Sequence, residues 1–423
     1  MEQAKKRKKL SISIKMLIGM VLGLLVGTVI GEPITVIEPF GTLFINLLKM
    51  CMVPVIFTSI VLSVAQVSDV GQFGRIGGRM LLYFAVTNVI AAVIGGSLAM
   101  WIQPGKALAG GQISGEIAAR EAPSVADTLL NIVPVNPVAA MAEGNLLAII
   151  FFACMLGVSL IFIGEKKAPV VTFMESLFDA ILQMVSLCLQ YAPFGVFALM
   201  AVLAGKYGLN VLKPLSLFFA TEYLAILLML IVIYGILLYV TTRLNIFKFL
   251  YRCKDPLLVA FTTASGSAAV AVELQQAESH YGIPDKIAGF GLTVGTTINQ
   301  NGAALNIPIC VLFTAQVYGF EFSMTELVTI ITMAIIMSCG AAGVPASATV
   351  FTLSILSGFG IPVEAFSLIL ASYIIIDLGL TVINVAGDIL CVVIACRKEK
   401  ILIEEVWQPG YDADAAFREK IRG

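Results

Sequence analysis

The sequence IIIDLGLTVINVAGDILCVVI, residues 374–394, carries the decisive pattern of this chain. Its charged and amide-bearing residues follow a helical spacing, with Asp377, Thr381, Asn384 and Asp388 at positions i, i+4, i+7 and i+11. At about 100° per residue, these four side chains fall within roughly 60° of one another. The other residues are apolar or glycine, so the stretch predicts a membrane-spanning helix with one polar stripe.

Two carboxylates inside a membrane helix are energetically unfavourable and indicate a functional site. The alternative is that each carboxylate makes a structural hydrogen bond to a neighbouring helix. No basic residue nearby in the sequence offers an ion-pair partner to Asp377 or Asp388, so we favour the functional interpretation.

The composition of the whole chain agrees with a membrane protein. Of 423 residues, 59% are hydrophobic and 13% are charged, whereas soluble domains carry about 25% charged residues. The net charge of −1 gives no argument for a nucleic-acid partner. The eight cysteines form no CxxC pair and there is one histidine, so we predict no zinc site and expect the thiols to be small packing groups.

Spanning helices need about 20 apolar residues. Besides the last span, suitable stretches lie near residues 14–33, 40–67, 80–102, 135–163, 169–205 and 212–242. The first follows a basic cluster, Lys5–Lys9, and could belong to a cleaved signal peptide. The apolar run is long for that and lacks a clear small-residue cleavage site, so we interpret it as the first span.

The distribution of Lys and Arg predicts the topology, because basic residues favour the cytoplasmic side. The larger groups assigned to that side are 5–9, 75–79, 166–167, 243–254, 286 and 397–400. The opposite side receives only Lys106, Arg120, Lys206 and Lys213. We therefore predict an all-α polytopic protein of a plasma (inner) membrane, with eight spans and both termini in the cytoplasm.

The C-terminal half contains two corresponding interruptions rich in small residues. Ser265–Ser267 precedes a helix broken at Asn299–Gly302, and Ser338–Ser347 precedes the helix with the polar stripe. Small residues can simply let helices pack closely. A matched pair of interrupted segments, however, is typical of a transporter binding site.

These features together predict a site for a zwitterion. Asp388 beside unwound backbone near Asn299 offers oxygen ligands to sodium, a hard cation. Asp377 suits an ammonium group, and the half-helix N-termini at the breaks suit a carboxylate. An ammonium and a carboxylate on one small molecule indicate an amino acid.

Several motifs, taken in order, resemble the dicarboxylate/amino acid:cation symporter family, which includes glutamate and neutral amino acid transporters. They are GTLFINLLKMCMVPVIF (41–57), LQYAPFGVFALMA (189–201), TTASGSAA (262–269), NQNGA (299–303), CGAAGVPAS (339–347) and the polar stripe. The resemblance covers nearly the whole chain.

The resemblance implies eight transmembrane helices and two reentrant helical hairpins, near 245–283 and 322–358, arranged as inverted repeats. It implies a homotrimer in which a scaffold carries a transport domain that moves like an elevator. The implied scaffold is 1–70 and 135–211, the transport domain is 71–103 and 212–400, and 104–134 and 401–423 are an external loop and a cytoplasmic tail. Membrane lipid and a small-molecule amino acid are the other implied partners, with sodium as coupling ion and no organic cofactor.

The resemblance also implies the binding residues. The substrate site comprises Ser265, Gly266, Ser267, Val344, Asp377, Leu380, Thr381 and Asn384. The first sodium site comprises Gly295, Asn299, Asn384 and Asp388. The second comprises Thr297, Ser338, Cys339 and Ala341. A doubtful third site comprises Thr87 and Asn301.

The chain departs from the family's pattern at the positions that bind an acidic side chain. Members with acidic substrates carry an arginine on the last helix, where this chain has Leu380, or just before the hairpin serines, where it has Ala264. A second carboxylate would lose its hydration without gaining a cationic partner, which is unfavourable. We therefore expect a small or neutral amino acid rather than glutamate, aspartate or succinate.

A further departure concerns the coupling ions. Asn301 stands where the family has an aspartate associated with a third sodium ion, although Thr87 is retained. Losing that charge weakens an oxygen site for cations. We expect fewer sodium ions per cycle, or a different coupling ion.

Two other hypotheses compete with sodium-coupled symport. The same fold could use protons carried by Asp377 or Asp388, could work as an exchanger, or could carry another amino acid or a dicarboxylate. An intramembrane enzyme is disfavoured, because Asp377 and Asp388 are about 16 Å apart along one helix and cannot share a proton. Glu222 is expected to be a packing carboxylate, and Glu273 and Glu278 are expected to be solvated.

Overall fold

The computed structural model describes residues 12–70, 74–107, 133–208, 212–339, 347–362 and 365–422. All regular secondary structure within these ranges is helical. Most helices are built from apolar residues, and their lengths follow the stretches expected from the sequence.

The first half of the described chain contains six α-helices. They are α1 (Ile12–Ile30), α2 (Glu38–Val70), α3 (Gly74–Ile102), α4 (Pro137–Glu143), α5 (Leu146–Phe162) and α6 (Ala168–Tyr207). Short 3-10 turns lie at Glu32–Ile37, Pro104–Ala107 and Gly164–Lys167.

The second half contains shorter and interrupted helices. They are α7 (Leu212–Leu227), α8 (Tyr234–Thr242), α9 (Ile246–Arg252), α10 (Lys254–Thr263), α11 (Gly266–Gln276), α12 (Asp285–Ile298), α13 (Asn301–Val317), α14 (Met324–Ser338), α15 (Ser347–Gly358), α16 (Phe366–Lys398) and α17 (Ala413–Arg422). Wide π-turns at Leu228–Ile233 and Ala277–Tyr281 connect α7 to α8 and extend α11.

Helices α1, α2 and α6 pack together, and α5 packs on α2. Glycines on α1 allow the close approach to α6: a Cβ atom added to Gly23 would lie 2.5 Å from the carbonyl oxygen of Phe197. At Gly27 the corresponding distance, to the carbonyl oxygen of Ala201, is 2.1 Å. The helix backbones are therefore in contact along this seam.

Helices α3, α10, α12, α13 and α16 form a second packed group. Helix α13 is buried along its whole length, from Asn301 to Val317. Gly95 of α3 makes the close approach possible, since a Cβ atom there would lie 2.1 Å from the carbonyl oxygen of Leu305. The polar stripe of α16 faces into this second group, where the interrupted helices meet it.

Five helical segments in the described ranges are long and apolar enough to cross a membrane. They are Glu32–Leu62, Gly74–Ala107, Gly164–Lys206, Leu215–Thr242 and Ile375–Lys398. Shorter apolar helices lie at Ile14–Ile30, Ala148–Phe162, Met324–Ser338 and Ala348–Gly358. The chain is therefore a multi-pass membrane protein by length and composition of its helices.

Candidate functional site

The four residues of the polar stripe lie on one continuous helix, α16, as the spacing predicts. Asp377, Thr381 and Asp388 are buried, with at most 8% of each residue exposed, and Asn384 is partly buried. The Thr381 hydroxyl donates to the carbonyl oxygen of Asp377 over 2.8 Å, so its hydrogen-bond partner lies within the same helix. The Asp388 carboxylate and the Asn384 amide form hydrogen bonds with residues outside this helix.

A small cavity of about 20 Å³ lies over the N-terminal half of this stripe. Its lining combines α16 with residues from three other helices and two positions between helices: Ala264, Gly266, Gln300, Ala303, Ala348, Tyr373, Asp377, Leu380, Thr381 and Asn384. One carboxylate and no cationic side chain are among these described lining residues. The cavity therefore presents one negative charge beside an apolar wall.

The first interruption supplies one wall of the cavity. Helix α10 ends at Thr263, and Ala264 takes a left-handed conformation with φ of +50°. Ser265 then begins α11, with its hydroxyl accepting a hydrogen bond from the N–H of Ala268 over 3.3 Å. Gly266 lines the cavity at the N-terminus of α11, whereas Ser267 is exposed. A helix N-terminus at this place favours an anionic group.

Leu380 and Ala264, which stand where family members with acidic substrates carry an arginine, both line the cavity. Leu380 is 2% exposed and packs on Gly302, where an added Cβ atom would lie 2.8 Å from the Leu380 Cβ. Ala264 is 3% exposed. Both residues give the cavity an apolar boundary.

The break between α12 and α13 lies at Asn299 and Gln300, which have non-helical backbone conformations with ψ near 60°. Asn384 bridges this break to the stripe: its amide nitrogen donates to Gln300 Oε1 over 2.9 Å. Its amide oxygen accepts from the N–H of Gly302 over 2.6 Å. The predicted break is thus present, and Asn384 of the stripe forms hydrogen bonds both with the break and with the first turn of α13.

Asp388 lies deeper, beside the other face of the same break. Its Oδ1 accepts a hydrogen bond from Asn299 Nδ2 over 2.9 Å. Asn299 Nδ2 also lies 3.5 Å from the carbonyl oxygen of Asn384. A Cβ atom on Gly295 would lie 2.8 Å from Asp388 Oδ1, so any larger residue at this position would clash with the carboxylate. All four residues assigned to the first sodium site therefore lie together.

Thr87 and Asn301, the doubtful third site, meet through Asn299. Thr87 Oγ1 donates to Asn299 Oδ1 over 3.1 Å, and Asn301 Nδ2 donates to the same oxygen over 2.9 Å. Asn301 Nδ2 also contacts the Tyr234 hydroxyl at 2.7 Å. The Oδ1 atom of Asn301 is buried without a hydrogen-bond partner among the described residues.

Part of the second sodium site is described, and Asn88 of α3 connects its segments. Asn88 Nδ2 donates to the carbonyl oxygen of Ile298, next to Thr297, and lies 4.0 Å from Cys339 Sγ. Ser338 is fully buried at the end of α14. Ala341 of this site and Val344 of the substrate site lie outside the described residues.

The structure adds site residues to which the sequence analysis gave no role. Tyr373 lines the cavity, as does Gln300 of the NQNGA motif, and Tyr234 and Asn88 join the deeper polar cluster. A tyrosine or an amide in an apolar segment is a weak signal on its own, because either can serve as a structural hydrogen-bonding group. Their positions follow from tertiary packing.

The expectation that Glu273 is solvated is wrong. Glu273 is 0% exposed, and neither carboxylate oxygen has a hydrogen-bond partner among the described residues. The reason is that α11 packs against α12 and α16, which brings Glu273 within electrostatic range of Asp388. Glu278, one turn further, is partly exposed.

Comparisons with a family profile and with individual known proteins point to the same family. A profile of the sodium:dicarboxylate symporter family matches residues 12–398. The chain is 35% identical to a proton/sodium-glutamate symport protein of Bacillus subtilis (strain 168), over 86% of each chain. It is 32% identical to a proton/glutamate-aspartate symporter of Escherichia coli (strain K12), over 86% of each. It is 30% identical to a C4-dicarboxylate transport protein of B. subtilis, over 86% of this chain and 87% of the relative.

Proposed function

The chain belongs to the sodium:dicarboxylate symporter family, whose members here are cation-coupled transporters and not enzymes, and from this premise we propose that it imports a small or neutral amino acid by sodium-coupled symport. Secondary active transport follows from the family. The substrate class and the coupling ion are proposals that rest on the residues of this chain.

The observation that carries the substrate proposal is the charge balance of the cavity. Asp377 offers one carboxylate to an ammonium group, and Gly266 marks a helix N-terminus suited to an α-carboxylate. Leu380 and Ala264 occupy the positions from which a guanidinium would bind a second carboxylate. An acidic side chain would therefore be dehydrated without an ionic partner.

This proposal departs from the names of the relatives. The three compared above are named for glutamate, aspartate or C4-dicarboxylates. At 30–35% identity the fold and the transport class are shared, but a few side chains decide which substrate is accepted. The apolar wall at Leu380 favours a side chain without charge.

Sodium is proposed as the coupling ion because the deeper cluster is rich in oxygen atoms. Asp388 supplies a carboxylate, and the unwound backbone at Asn299 together with the backbone carbonyl of Asn384 supplies neutral oxygens. Hard monovalent cations prefer such ligands. When bound, a sodium ion would neutralise Asp388 and hold the break between α12 and α13 in one conformation.

We further propose the elevator mechanism and a homotrimer. The group formed by α1, α2, α5 and α6 would be the scaffold, and the group around α16 would move with the substrate. Residues 104–134 would be external and 401–423 cytoplasmic, as the basic residues favour.

The test is uptake of a labelled amino acid panel into proteoliposomes under an imposed sodium gradient. We expect uptake of neutral amino acids such as alanine or serine, and little uptake of glutamate. The Asp377→Asn variant should lose binding while remaining folded, because its amide cannot pair with the ammonium group. Uptake retained in that variant would place the ammonium site elsewhere, and uptake of dicarboxylates alone would contradict the substrate proposal.

A second candidate is proton coupling on the same fold. It is favoured by the word proton in the names of two of the relatives, and by Asn301 in place of an acidic sodium ligand. The same proteoliposomes under a proton gradient without sodium distinguish it, since only this candidate expects uptake under that condition.

A further inference from the structure

Glu222 of α7 and Asn306 of α13 form a buried pair away from the sodium ligands. Both residues are 0% exposed. Asn306 Nδ2 donates to Glu222 Oε1 over 2.6 Å. The other two polar atoms of the pair, Glu222 Oε2 and Asn306 Oδ1, have no hydrogen-bond partner among the described residues.

One proton accounts for both unpartnered oxygens. An ionised carboxylate can only accept hydrogen bonds, and the amide oxygen is also an acceptor. If Glu222 is protonated on Oε2, its O–H can donate to Asn306 Oδ1 while Asn306 Nδ2 donates back to Oε1. The acid and the amide are then joined by two hydrogen bonds, and no buried charge remains.

The described titratable groups near Glu222 carry no positive charge. They are Tyr223 on the same helix, Cys310 on α13 and Tyr373 on α16, which lie within electrostatic range of Glu222. The Cys310 thiol lies beside Asn306, but it is a weak donor and leaves Glu222 Oε2 without a partner.

On two neighbouring elements, the 3-10 turn at Pro104–Ala107 and α3, the described cations near the helix ends pair with other carboxylates. Lys106, on the 3-10 turn that packs on α7, lies 4.0 Å from Glu321. Arg75 and Arg79 at the start of α3 pair with Glu399. None of them neutralises Glu222.

The pair is connected to the substrate cavity through Tyr373. Tyr373 lines the cavity and lies within electrostatic range of both Asp377 and Glu222. Glu273, the other fully buried glutamate, lies near Asp388 instead, and among the described residues neither of its oxygens has a hydrogen-bond partner.

We propose that the Glu222–Asn306 pair is a proton-binding site whose proton is carried together with the substrate. The site rests on the proposed transport function and adds a second coupling ion to it. On binding, a proton joins Oε2 of the carboxylate. On release, the O–H bond breaks, the proton passes to water on the cytoplasmic side, and the carboxylate is regenerated for the return step.

The test compares wild-type protein with Glu222→Gln in proteoliposomes that contain a pH-sensitive dye. Glutamine keeps the two hydrogen bonds to Asn306 but cannot gain or lose a proton. With equal sodium gradients, we expect sodium-driven amino acid uptake by both proteins. The number of protons taken up per substrate should be lower by about one in the variant. Its uptake should also become insensitive to an imposed pH gradient.

Two further variants sharpen the result. Asn306→Asp places two carboxyls in contact, which must share a proton, so the pH dependence of uptake should move to higher pH. Glu273→Gln is the matched control for a second buried glutamate, and we expect it to keep the proton movement. The proposal would be overturned if wild type and Glu222→Gln took up equal numbers of protons per substrate. It would also be overturned if Glu273→Gln, and not Glu222→Gln, lost this proton uptake.

A spectroscopic measurement separates this proposal from the identity of the substrate. Infrared spectra of the purified protein at neutral pH should contain a carbonyl band of an un-ionised carboxylic acid that is absent from Glu222→Gln. If no amino acid is taken up but the band is present, the proposed function fails and the proton site stands. If uptake is present but the two spectra agree, the proton site is wrong.

Discussion

At the scale of single residues, substrate choice depends on which side chains face the amino acid beyond its zwitterionic part. Asp377 and Thr381 would meet the backbone groups that every amino acid shares. Leu380 and Ala264 face the remaining space, so they are the positions at which selectivity can be changed.

Leu380→Arg should shift preference toward acidic amino acids. A guanidinium there can bind a distal carboxylate with charge-assisted hydrogen bonds of about 1.5–3 kcal/mol, which corresponds to roughly tenfold or more in relative uptake. Competition of unlabelled glutamate against labelled substrate measures the shift.

Because Leu380 is tightly packed on Gly302, Ala264→Arg offers an independent approach from the opposite wall. Leu380→Met is the matched control and should keep the original preference. If both arginine variants retain the wild-type selectivity, neither residue faces the bound side chain.

Asn301 is the residue at which sodium coupling can be tested. Asn301→Asp restores a carboxylate next to Asn299 Oδ1, so two acceptors would face each other unless a cation lies between them. We expect a higher sodium affinity and about one more sodium ion per substrate, measured from reversal potentials in proteoliposomes. Asn301→Ala removes the amide without adding charge and should not gain an ion. A wild-type protein that already moves three sodium ions would contradict the role given to Asn301.

At the scale of helices, the sequence predicted where the chain breaks but not what packs on the breaks. The small polar runs at Ser265 and Asn299 marked the interruptions because they lack apolar side chains at membrane depth. The burial of Glu273 was not predictable, because it depends on the way α11 packs against α12 and α16. Nor did the sequence indicate that the Asn306 amide would meet Glu222.

The C-terminal segment illustrates the same limit. The charge of residues 401–423 predicted a cytoplasmic tail but did not indicate that this segment packs against residues 246–283. Trp407 Nε1 donates to the carbonyl oxygen of Tyr281 over 3.1 Å, and Arg252 donates to the carbonyl oxygen of Val406 over 2.9 Å. The Lys248 ammonium also donates to the carbonyl oxygen of Trp407. These contacts join residues far apart in the sequence, so no local pattern signals them.

His280 makes this docking sensitive to pH. Its side chain is 3% exposed, and Nε2 lies 3.3 Å from Asp414 Oδ1 of α17. Burial lowers the pKa of His280 from its ordinary 6.5, an effect that Arg252 adds to and that Asp414 and Asp255 oppose. The docked segment therefore binds fewer protons than the free one, so docking is strongest above about pH 6.5 and weakens as pH falls.

The prediction is checked with Trp407 fluorescence in a Trp101→Phe background, since these are the two tryptophans of the chain. Acidification from about pH 7.5 to 5.5 should shift the Trp407 emission to the red as the ring becomes hydrated. His280→Gln, which cannot be protonated, should remove the pH dependence. An emission maximum that is constant over this range would show that His280 does not control docking.

At the scale of the whole molecule, hydropathy and basic residues were sufficient to predict a multi-pass helical protein. They could not predict which helices touch, because lipid-facing and protein-facing apolar residues look alike in sequence. The contacts are set by glycines that bring backbones together, at Gly27 against α6 and at Gly95 against α13. Each group of helices is thus closely packed within itself, which suits a scaffold and a body that moves against it.

The seam between α1 and α6 should therefore tolerate no added volume. In Gly27→Ala the new methyl group would lie 2.1 Å from the carbonyl oxygen of Ala201, which belongs to helix backbone and cannot rotate away. The helices must separate, and overpacking of this kind typically lowers stability by about 1–3 kcal/mol. The midpoint of thermal unfolding in detergent should fall. Gly78→Ala on α3 is the control, since nothing lies within 4 Å of its Cβ position, and alanine there should leave the midpoint unchanged or slightly raised. Equal midpoints for the two variants would mean that α1 and α6 are not in backbone contact, and that the proposed scaffold is held together in another way.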